Sequence, residues 1–254
     1  MRRRFAWAFA LLLAAVVLAP FIYMAATALT APPGASRAGL PLGGFALTSA
    51  IFSLAVVAGQ VVTSATAAYA FARLRFAGRD RLFLAYLSAL AVPAIVLVLP
   101  RFLFIDALGW LDTYGGLIST ELVSVTGIFL LRQFFGTLPR ELEDAARLEG
   151  AGEWTIFRRV VVPQARPALA TVALLAFAEQ WRSFLWPLVA MRASDHQVLE
   201  VGNANLQGLY RVSWPGEMAA AVAAVAPVVI LYVVARRYFI GGIEMTRAGS
   251  SAPI

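Results

Sequence analysis

The chain has 254 residues, of which 61% are hydrophobic and only 14% are charged, and its formal net charge is +7. Soluble globular proteins contain roughly 45–50% apolar and about 25% charged residues, so this composition excludes a soluble domain as well as a disordered chain. The sequence contains no cysteine, which excludes disulfides, thiolate metal sites and cysteine nucleophiles. These figures indicate an integral membrane protein.

Six apolar stretches are long enough to cross a bilayer, since a hydrocarbon core of ~30 Å needs about 20 helical residues. They run roughly over residues 5–31, 45–71, 82–104, 113–134, 168–191 and 218–236. Backbone groups in lipid must be paired within the segment, and the alternating pattern of a membrane barrel is absent. We therefore expect an all-α membrane protein with six transmembrane helices in a single domain spanning residues 1–254.

The positive charge is carried by arginine alone and is concentrated between alternate apolar stretches. The clusters are Arg2, Arg3 and Arg4, then Arg73, Arg75, Arg79 and Arg81, then the arginines of residues 132–166, and finally Arg236, Arg237 and Arg247. Cytoplasmic loops carry such an excess of basic residues, which predicts that both termini are cytoplasmic. No single basic face collects these charges, so no nucleic-acid partner is expected.

The first apolar stretch follows three arginines and therefore resembles a signal peptide. Signal peptides have apolar cores of about 7–15 residues, whereas this run is longer. We expect it to be retained as the first span.

Two other spans carry local packing signals. In the second, Ala55, Gly59, Thr63 and Ala67 recur at four-residue spacing, which suits close helix packing either within this bundle or against another membrane subunit. In the third, two prolines, at positions 93 and 100, are expected to break the hydrogen-bond ladder and kink the helix.

Charged residues lie within or near the ends of the third, fourth and fifth predicted spans. They are Arg101, Glu121, Glu179 and Arg182, and the last two stand beside Gln180, Trp181 and Ser183. A charge at mid-bilayer costs at least ~2.5–3.5 kcal/mol, so such groups face a partner or water. These residues, Arg101 and Glu121 included, are therefore expected either to line the solute pathway, with the tryptophan stacking on a sugar-like face, or to form ion pairs inside the bundle. The expected pairs are Arg101 with Glu121 and Glu179 with Arg182, which are three residues apart on one helical face.

The loop over residues 137–166 contains two short amphipathic segments separated by Gly150. The first begins after Pro139 and has acidic residues in its first turn, which complement the helix dipole. Glycine commonly ends a helix, and Pro163 is expected to close the second segment. Both are too short to span a bilayer, so they lie on the membrane, pack on the bundle or dock into a groove of another protein.

This loop resembles the EAA motif of permease subunits in bacterial ATP-binding-cassette (ABC) importers. Asp144, Ala145, Ala146, Gly150, Val160, Val162 and Pro163 stand at the spacing of that motif, with aspartate in place of its first glutamate. The resemblance continues over residues 69–76, 127–135 and 184–188, where it is to the carbohydrate-uptake branch and the smaller permease of maltose-type systems. Where that branch has Asn-Asp after the tryptophan, this chain has Arg182 and Ser183.

The resemblance implies a type I importer permease fold with cytoplasmic coupling helices, in the bacterial inner membrane. The residues expected to couple to an ATPase are Asp144, Ala145, Ala146, Glu149, Gly150, Ala151, Trp154, Phe157, Val160 and Pro163. Implied partners are a related and larger second permease, two ATPase subunits, an external solute-binding protein and membrane lipid. ATP and Mg²⁺ are expected on the ATPase and no cofactor on this chain.

The sequence gives no sign of catalysis by the chain itself. A P-loop requires a lysine, and this chain has none, so it cannot carry an ATPase of that kind. We also expect no group of catalytic residues in one cavity and no metal site. His196 stands alone in a predicted external loop and is expected to be solvated. The predicted function is solute import, most simply of a sugar. Two alternatives remain open: a permease for a charged or non-sugar solute, and a membrane anchor or regulatory subunit that transports nothing. An intramembrane enzyme is the remaining alternative.

Overall fold

The computed structural model describes residues 2–30, 42–192, 197–209 and 214–248, which form helices and turns with no strand among them. The prediction of an all-α protein is confirmed. The predicted external loop at residues 32–44 lies mostly outside these ranges, and His196 lies wholly outside them.

The helices follow one another as α1 (Arg2–Leu29), α2 (Leu42–Arg73), α3 (Arg79–Ser88), α4 (Val98–Ala107), α5 (Tyr114–Ser119), α6 (Val125–Thr137), α7 (Glu141–Leu148), α8 (Glu153–Ile156), α9 (Val162–Gln164), α10 (Arg166–Trp181), α11 (Leu185–Ala190), α12 (Leu199–Leu209) and α13 (Trp214–Ala248). Short 3₁₀ turns at Ala89–Ala91 and Ala94–Leu97 join α3 to α4, and a π-helical turn at Phe157–Val161 joins α8 to α9.

Three helices of the described chain are long and apolar enough to cross a membrane: Phe5–Leu29, Gly43–Arg73 and Trp214–Val234. Two further helix pairs pass the same test of length and composition only if each bent pair is counted as one span. The chain turns by 95° between Arg79–Ala91 and Ala94–Ala107, and by 79° between Glu153–Gln164 and Arg166–Trp181. Length and composition thus support up to five spans in the described residues, and the predicted count of six is not confirmed.

The missing span is the predicted stretch 113–134, which the structure divides into the short helix α5 and the 13-residue helix α6. Each helix has its own N-terminal cap. The Thr113 hydroxyl accepts a hydrogen bond from the Gly116 amide at 3.1 Å, and the Ser124 hydroxyl accepts one from the Gly127 amide at 3.0 Å. Side-chain oxygens at the cap satisfy amides that a helix leaves free, so the sequence itself specifies a second start inside the apolar stretch.

The bend in the predicted third span lies at Pro93, between the two 3₁₀ turns. The Pro93 backbone is extended, with φ of −60° and ψ of 132°, so the helix stops before it. Pro100 behaves differently because it occupies the first turn of α4, where its missing amide hydrogen has no intrahelical partner to lose. The predicted kink is thus present at the first proline and absent at the second.

Helix α2 is the central element of the bundle and packs against α6 and α10. Its buried face repeats at helical spacing through Phe52, Val56, Gln60, Ser64 and Ala68. The buried side chains include small polar ones because small residues allow helix backbones to approach closely in a membrane.

Glycines mark two of these close approaches. A Cβ on Gly59 would lie 2.4 Å from Cδ2 of Leu122, and a Cβ on Gly127 would lie 2.6 Å from Oγ of Ser64. Thr63, one turn from Gly59, donates a hydrogen bond of 2.8 Å to the Leu122 carbonyl. These contacts support packing within the bundle as the role of the small-residue stripe on α2.

Helix α1 lies outside this core and packs along α13. Its apolar side chains are exposed from Phe5 to Leu29, and none of the most apolar window is buried within the chain. Such a surface is covered only by lipid or by another membrane subunit.

Candidate functional site

The loop between α6 and α10 forms a compact protrusion built from α7, a tight turn and a second helical piece. Gly150 ends α7 with φ of +84°, a left-handed conformation that glycine adopts without strain. The Gly150 amide donates to the Arg147 carbonyl at 3.0 Å and the Ala151 amide donates to the Ala146 carbonyl at 2.9 Å. This pair of bonds is a Schellman motif, and the predicted helix stop at Gly150 is confirmed. The second piece continues to Gln164, one residue past Pro163.

The base of the protrusion is anchored by apolar side chains. Ile156 and Val161 are fully buried, and Phe157 is 7% exposed. They share one core cluster with Tyr69 of α2 and Phe135 of α6. The Phe157 ring lies 5.1 Å from the Tyr69 ring, centroid to centroid. The loop is therefore packed onto the two helices that form the centre of the bundle.

A buried ion pair adds a second anchor. Nε of Arg73, the last residue of α2, lies 2.9 Å from Oε1 of Glu143 in α7, and both side chains are 3% exposed. Arg73 also donates a hydrogen bond of 2.6 Å to the Leu138 carbonyl. A buried charge is tolerated when it is paired, and Arg73 is hydrogen-bonded as well.

Arg147 extends this pair into a network at the surface. Its guanidinium lies 3.5 Å from Glu143, 2.8 Å from Asp144 and 2.9 Å from Glu153. The Tyr69 hydroxyl donates a hydrogen bond of 2.7 Å to the other oxygen of Glu153. The hydrogen bonds from Arg147 and then from Tyr69 lower the pKa of the Glu153 carboxyl, and the bond to Glu153 raises the pKa of Arg147.

The predicted coupling residues divide into an outer and an inner set. Exposed on the protrusion are Asp144, Ala145, Glu149, Gly150, Trp154 and Pro163. Ala146, Ala151 and Val160 are half-buried and pack against the core cluster. Phe157 belongs to that cluster, so its side chain supports the loop from beneath.

Sequence reasoning missed the polar network that joins α2 to this loop, which consists of Tyr69 and Arg73 of α2 and of Glu143, Arg147 and Glu153 of the loop. The available signal was the spacing of Glu143 and Asp144 four and three residues before Arg147, which predicts ion pairs on one helical face. Spacing within α7 gives no information on α2, so the pair with Arg73 required the fold.

A second polar region lies inside the bundle where the chain unwinds between α5 and α6. Arg101 of α4 and Glu121 form an ion pair, as proposed from the sequence, and the Arg101 guanidinium also lies 5.9 Å from the ring centroid of Trp186. Gln60 of α2 donates a hydrogen bond of 2.7 Å to the Glu121 carbonyl. Helix α2 thus satisfies backbone groups that the break leaves free.

Glu179 and Arg182 line a cavity of about 460 Å³ between α2, α6 and α10. Gln60, Ser124 and Thr126 add polar groups to its wall, and Leu130, Val172 and Leu175 add apolar ones. No ion pair between Glu179 and Arg182 occurs in the described structure. Arg182 instead donates a hydrogen bond of 3.1 Å to the Ala178 carbonyl.

The neighbouring polar residues do not all share that cavity. Gln180 is buried, Ser183 is half-buried at the end of the helix, and Trp181 is 5% exposed. The Trp181 ring stacks on Phe177 at 5.5 Å, and its indole nitrogen donates a hydrogen bond of 2.7 Å to the Ala224 carbonyl of α13. The indole therefore has no free face for a solute in this structure. Among the described residues, no group of three or more potential ligands is arranged to hold a metal ion.

Comparison with known proteins places these features in a family. Residues 60–244 match the model of the binding-protein-dependent transport system inner membrane component family. This region contains α2 from its middle onward, the protrusion and the polar cavity.

Individual relatives agree with the family match. The chain is 36% identical over 193 residues to the arabinooligosaccharides transport system permease protein AraQ of Halalkalibacterium halodurans, covering 76% of this chain and 69% of that protein. It is 32% identical over 210 residues to the sn-glycerol-3-phosphate transport system permease protein UgpE of Agrobacterium fabrum, covering 82% of this chain and 74% of that protein.

The fold also matches a solved structure. A chain in the crystal structure of a bacterial ABC transporter involved in the import of the acidic polysaccharide alginate superposes with a TM-score of 0.80 and 24% sequence identity. The match covers 93% of this chain and 97% of that one, which shows a shared fold. The chain therefore belongs to the family of inner membrane components of binding-protein-dependent transport systems.

Proposed function

We propose that this chain is one of two membrane-spanning subunits of an ATP-driven importer and that it translocates a sugar or sugar derivative. As a member of its family the chain is a transport component rather than an enzyme. The arabinooligosaccharide relative supports a sugar as the cargo. An external binding protein delivers the solute, and the second permease is a related, larger chain.

The observation that carries this proposal is the apolar surface of the protrusion. Leu148 is 92% exposed and Trp154 is 64% exposed, although both are large apolar side chains of the protrusion. An exposed apolar group of this kind indicates a surface that a partner protein covers. The neighbouring Ala145 is small and exposed, which lets the backbone of a partner come close.

The occupant of that surface, in this proposal, is one of two cytoplasmic ATPase subunits, which hold ATP and Mg²⁺. When the ATPase dimer closes, the protrusion moves with it. The Arg73–Glu143 pair and the Ile156–Val161 base join the protrusion to α2 and α6, so its displacement is passed to the helices around the polar cavity. Both termini lie in the cytoplasm, as the arginine distribution indicates.

The partners are tested by a gentle detergent purification of this chain from its native membranes, followed by peptide sequencing of the companions. Recovery of an ATPase with Walker motifs, a second permease and an external binding protein is expected. Recovery of the chain alone, under conditions that preserve a known complex of the same membranes, contradicts the proposal.

The docking surface is tested by Ala145→Trp, which adds bulk outside the chain's own core. We expect the variant to insert and to keep the second permease but to lose the ATPase and solute uptake. Ala107→Trp, the same change on an exposed alanine at the end of α4, is the matched control and should retain both. Normal uptake by the Ala145 variant contradicts ATPase docking at this face. ATPase stimulation by loaded binding protein without solute flux would instead identify a regulatory subunit.

A charged solute is the second candidate, and the exposed guanidinium of Arg182 at the polar cavity favours it. A relative is named for sn-glycerol-3-phosphate, which is an anion. Arg182→Asn is expected to reduce uptake of an anionic solute and to spare a neutral sugar. Unchanged transport of both solutes would exclude a direct role for Arg182.

A further inference from the structure

An open cavity of about 660 Å³ lies where α2 ends and α3 begins. Four arginines line it: Arg75, Arg79 and Arg81 from the segment after α2, and Arg140 from the start of the protrusion. Asp80 is the one acidic residue in its lining. The cavity is therefore strongly positive.

The charge of Asp80 is already neutralised by neighbours. Its carboxylate lies 3.2 Å from the guanidinium of Arg79 and 3.2 Å from that of Arg132. Within the described part of the chain, the side chains of Arg75, Arg81 and Arg140 make no ion pair or hydrogen bond, and all three residues are exposed. Three free guanidinium groups thus face one cavity, an arrangement that favours an anion carrying several oxygen acceptors.

An apolar surface begins at the edge of this cavity. Phe76 at the rim is 43% exposed, and Leu82 and Leu84, within the first two turns of α3, are 56% and 69% exposed. The same helix belongs to a bent pair that is apolar enough to span the membrane. Positive charge at the base and exposed apolar side chains directly beyond it match the two parts of a phospholipid, its headgroup and its acyl chains.

We propose that this cavity binds the headgroup of an anionic phospholipid from the cytoplasmic leaflet, with the acyl chains lying along Leu82 and Leu84. The inference rests on the proposed function for its orientation, in which residues 73–81 are cytoplasmic. A water-soluble ATPase is the less suitable occupant because it would leave these leucines uncovered. Arg140 is the residue directly before α7, so the bound lipid contacts the protrusion at the start of its first helix.

The test measures lipid affinity of the detergent-solubilised full complex by native mass spectrometry, with phosphatidylglycerol as the probe and phosphatidylcholine as the neutral reference. The double variant Arg75→Gln/Arg81→Gln removes two free guanidinium groups. At about fivefold for each arginine near an anionic lipid, affinity for phosphatidylglycerol should fall roughly 25-fold. The control Arg158→Gln/Arg159→Gln removes the same charge from exposed positions of the protrusion and should leave the affinity unchanged.

Several results would overturn the proposal. These are an unchanged affinity in the first double variant, an equal loss in the control, and displacement of the lipid by soluble glycerol phosphate at equal affinity, which would identify a free anion. Loss of the ATPase with unchanged lipid affinity would identify a protein occupant.

A photoactivatable phosphatidylglycerol added to the wild-type complex gives a test that does not depend on folding of a variant. We expect its label on the peptide containing residues 75–84, and label confined to other peptides would contradict the site. Both lipid-binding measurements are made without measuring transport. A complex that binds lipid at this site but imports no solute would therefore contradict the proposed function and leave the lipid site intact.

Discussion

Arg73 and Glu143 are joined by an ion pair of 2.9 Å, although they lie at the end of α2 and in the first turn of α7. Both side chains are almost completely removed from solvent. The pair connects a membrane-spanning helix directly to the exposed protrusion. In the proposed function, this pair is the joint that passes a displacement of the protrusion on to α2.

Removing one partner of this ion pair should lower the stability of the folded protein, and the loss should differ between the two partners. Breaking a buried pair from one side typically costs about 3–5 kcal/mol, because an uncompensated charge remains. Glu143→Gln leaves Arg73 with the Leu138 carbonyl alone, whereas Arg73→Gln leaves Glu143 with Arg147 at 3.5 Å. We therefore expect the Glu143 variant to lower the melting temperature of the purified complex more and to abolish uptake.

The control for this pair is Glu141→Gln, an exposed acidic residue in the same turn of α7. Its effect on stability should stay within about 0.5 kcal/mol. The double variant Arg73→Gln/Glu143→Gln closes a thermodynamic cycle. If the two single losses simply add in the double variant, the residues are not coupled and the joint does not exist.

The turn of the protrusion depends on one backbone conformation. Gly150 and Gly152 are both exposed, and a Cβ at either position meets no atom within 4 Å, but only Gly150 has a positive φ. Gly150→Ala should therefore destabilise the turn by roughly 1–2 kcal/mol, while Gly152→Ala should be neutral. Hydrogen exchange of residues 141–157 measures this difference. Equal exchange in the two variants would show that the left-handed turn does not limit the stability of the protrusion.

The sequence predicted the local features of the protrusion because they depend on neighbouring residues. Gly150 as a helix stop and acidic residues in the first turn of α7 follow from capping and dipole rules. The Arg101–Glu121 pair was also predictable, since a charge in the membrane requires a partner. The placement of Trp181 was not predictable. A tryptophan that stacks on a solute and one that packs against α13 give the same pattern in the sequence, because the ring is covered in both cases.

The number of spans was less predictable, because hydropathy does not register where a helix breaks. The stretch 113–134 is apolar throughout most of its length, yet Thr113 and Ser124 each start a helix there. A side-chain cap inside an apolar run is a weak signal by itself. Gln60 and Thr63 of α2, which hold the unwound carbonyls of Glu121 and Leu122, become apparent only when α2 and α6 are packed together.

The surface network of the protrusion should respond to acid in a defined direction. The pKa of Glu153 lies below its ordinary value of 4.5, so its carboxylate form is favoured in the folded state. The stabilisation is therefore fully present above pH 4.5 and is lost as the pH falls through the lowered pKa. Hydrogen-exchange protection of residues 147–157, corrected for intrinsic rates, should be constant from about pH 8 to 5 and fall below that range.

Glu153→Gln removes the titrating group and should show weaker protection without this acid-dependent step. Protection in the wild type that already falls between pH 7 and 5 would contradict the assignment to Glu153. So would an unchanged acid step in the variant.

The contact between Gly59 and Leu122 tests whether α2 holds the break between α5 and α6. A Cβ at position 59 would lie 2.4 Å from the Leu122 side chain, so Gly59→Ala should destabilise the bundle by about 1–3 kcal/mol through overpacking. Gly136→Ala, in helix α6 with no atom within 4 Å of the added Cβ, is the matched control and should be neutral or slightly stabilising. Thermal unfolding of the purified complex measures both. Because Leu122→Ala removes the clashing atoms, the double variant should recover part of the loss, and a double variant no better than Gly59→Ala alone would place the strain elsewhere.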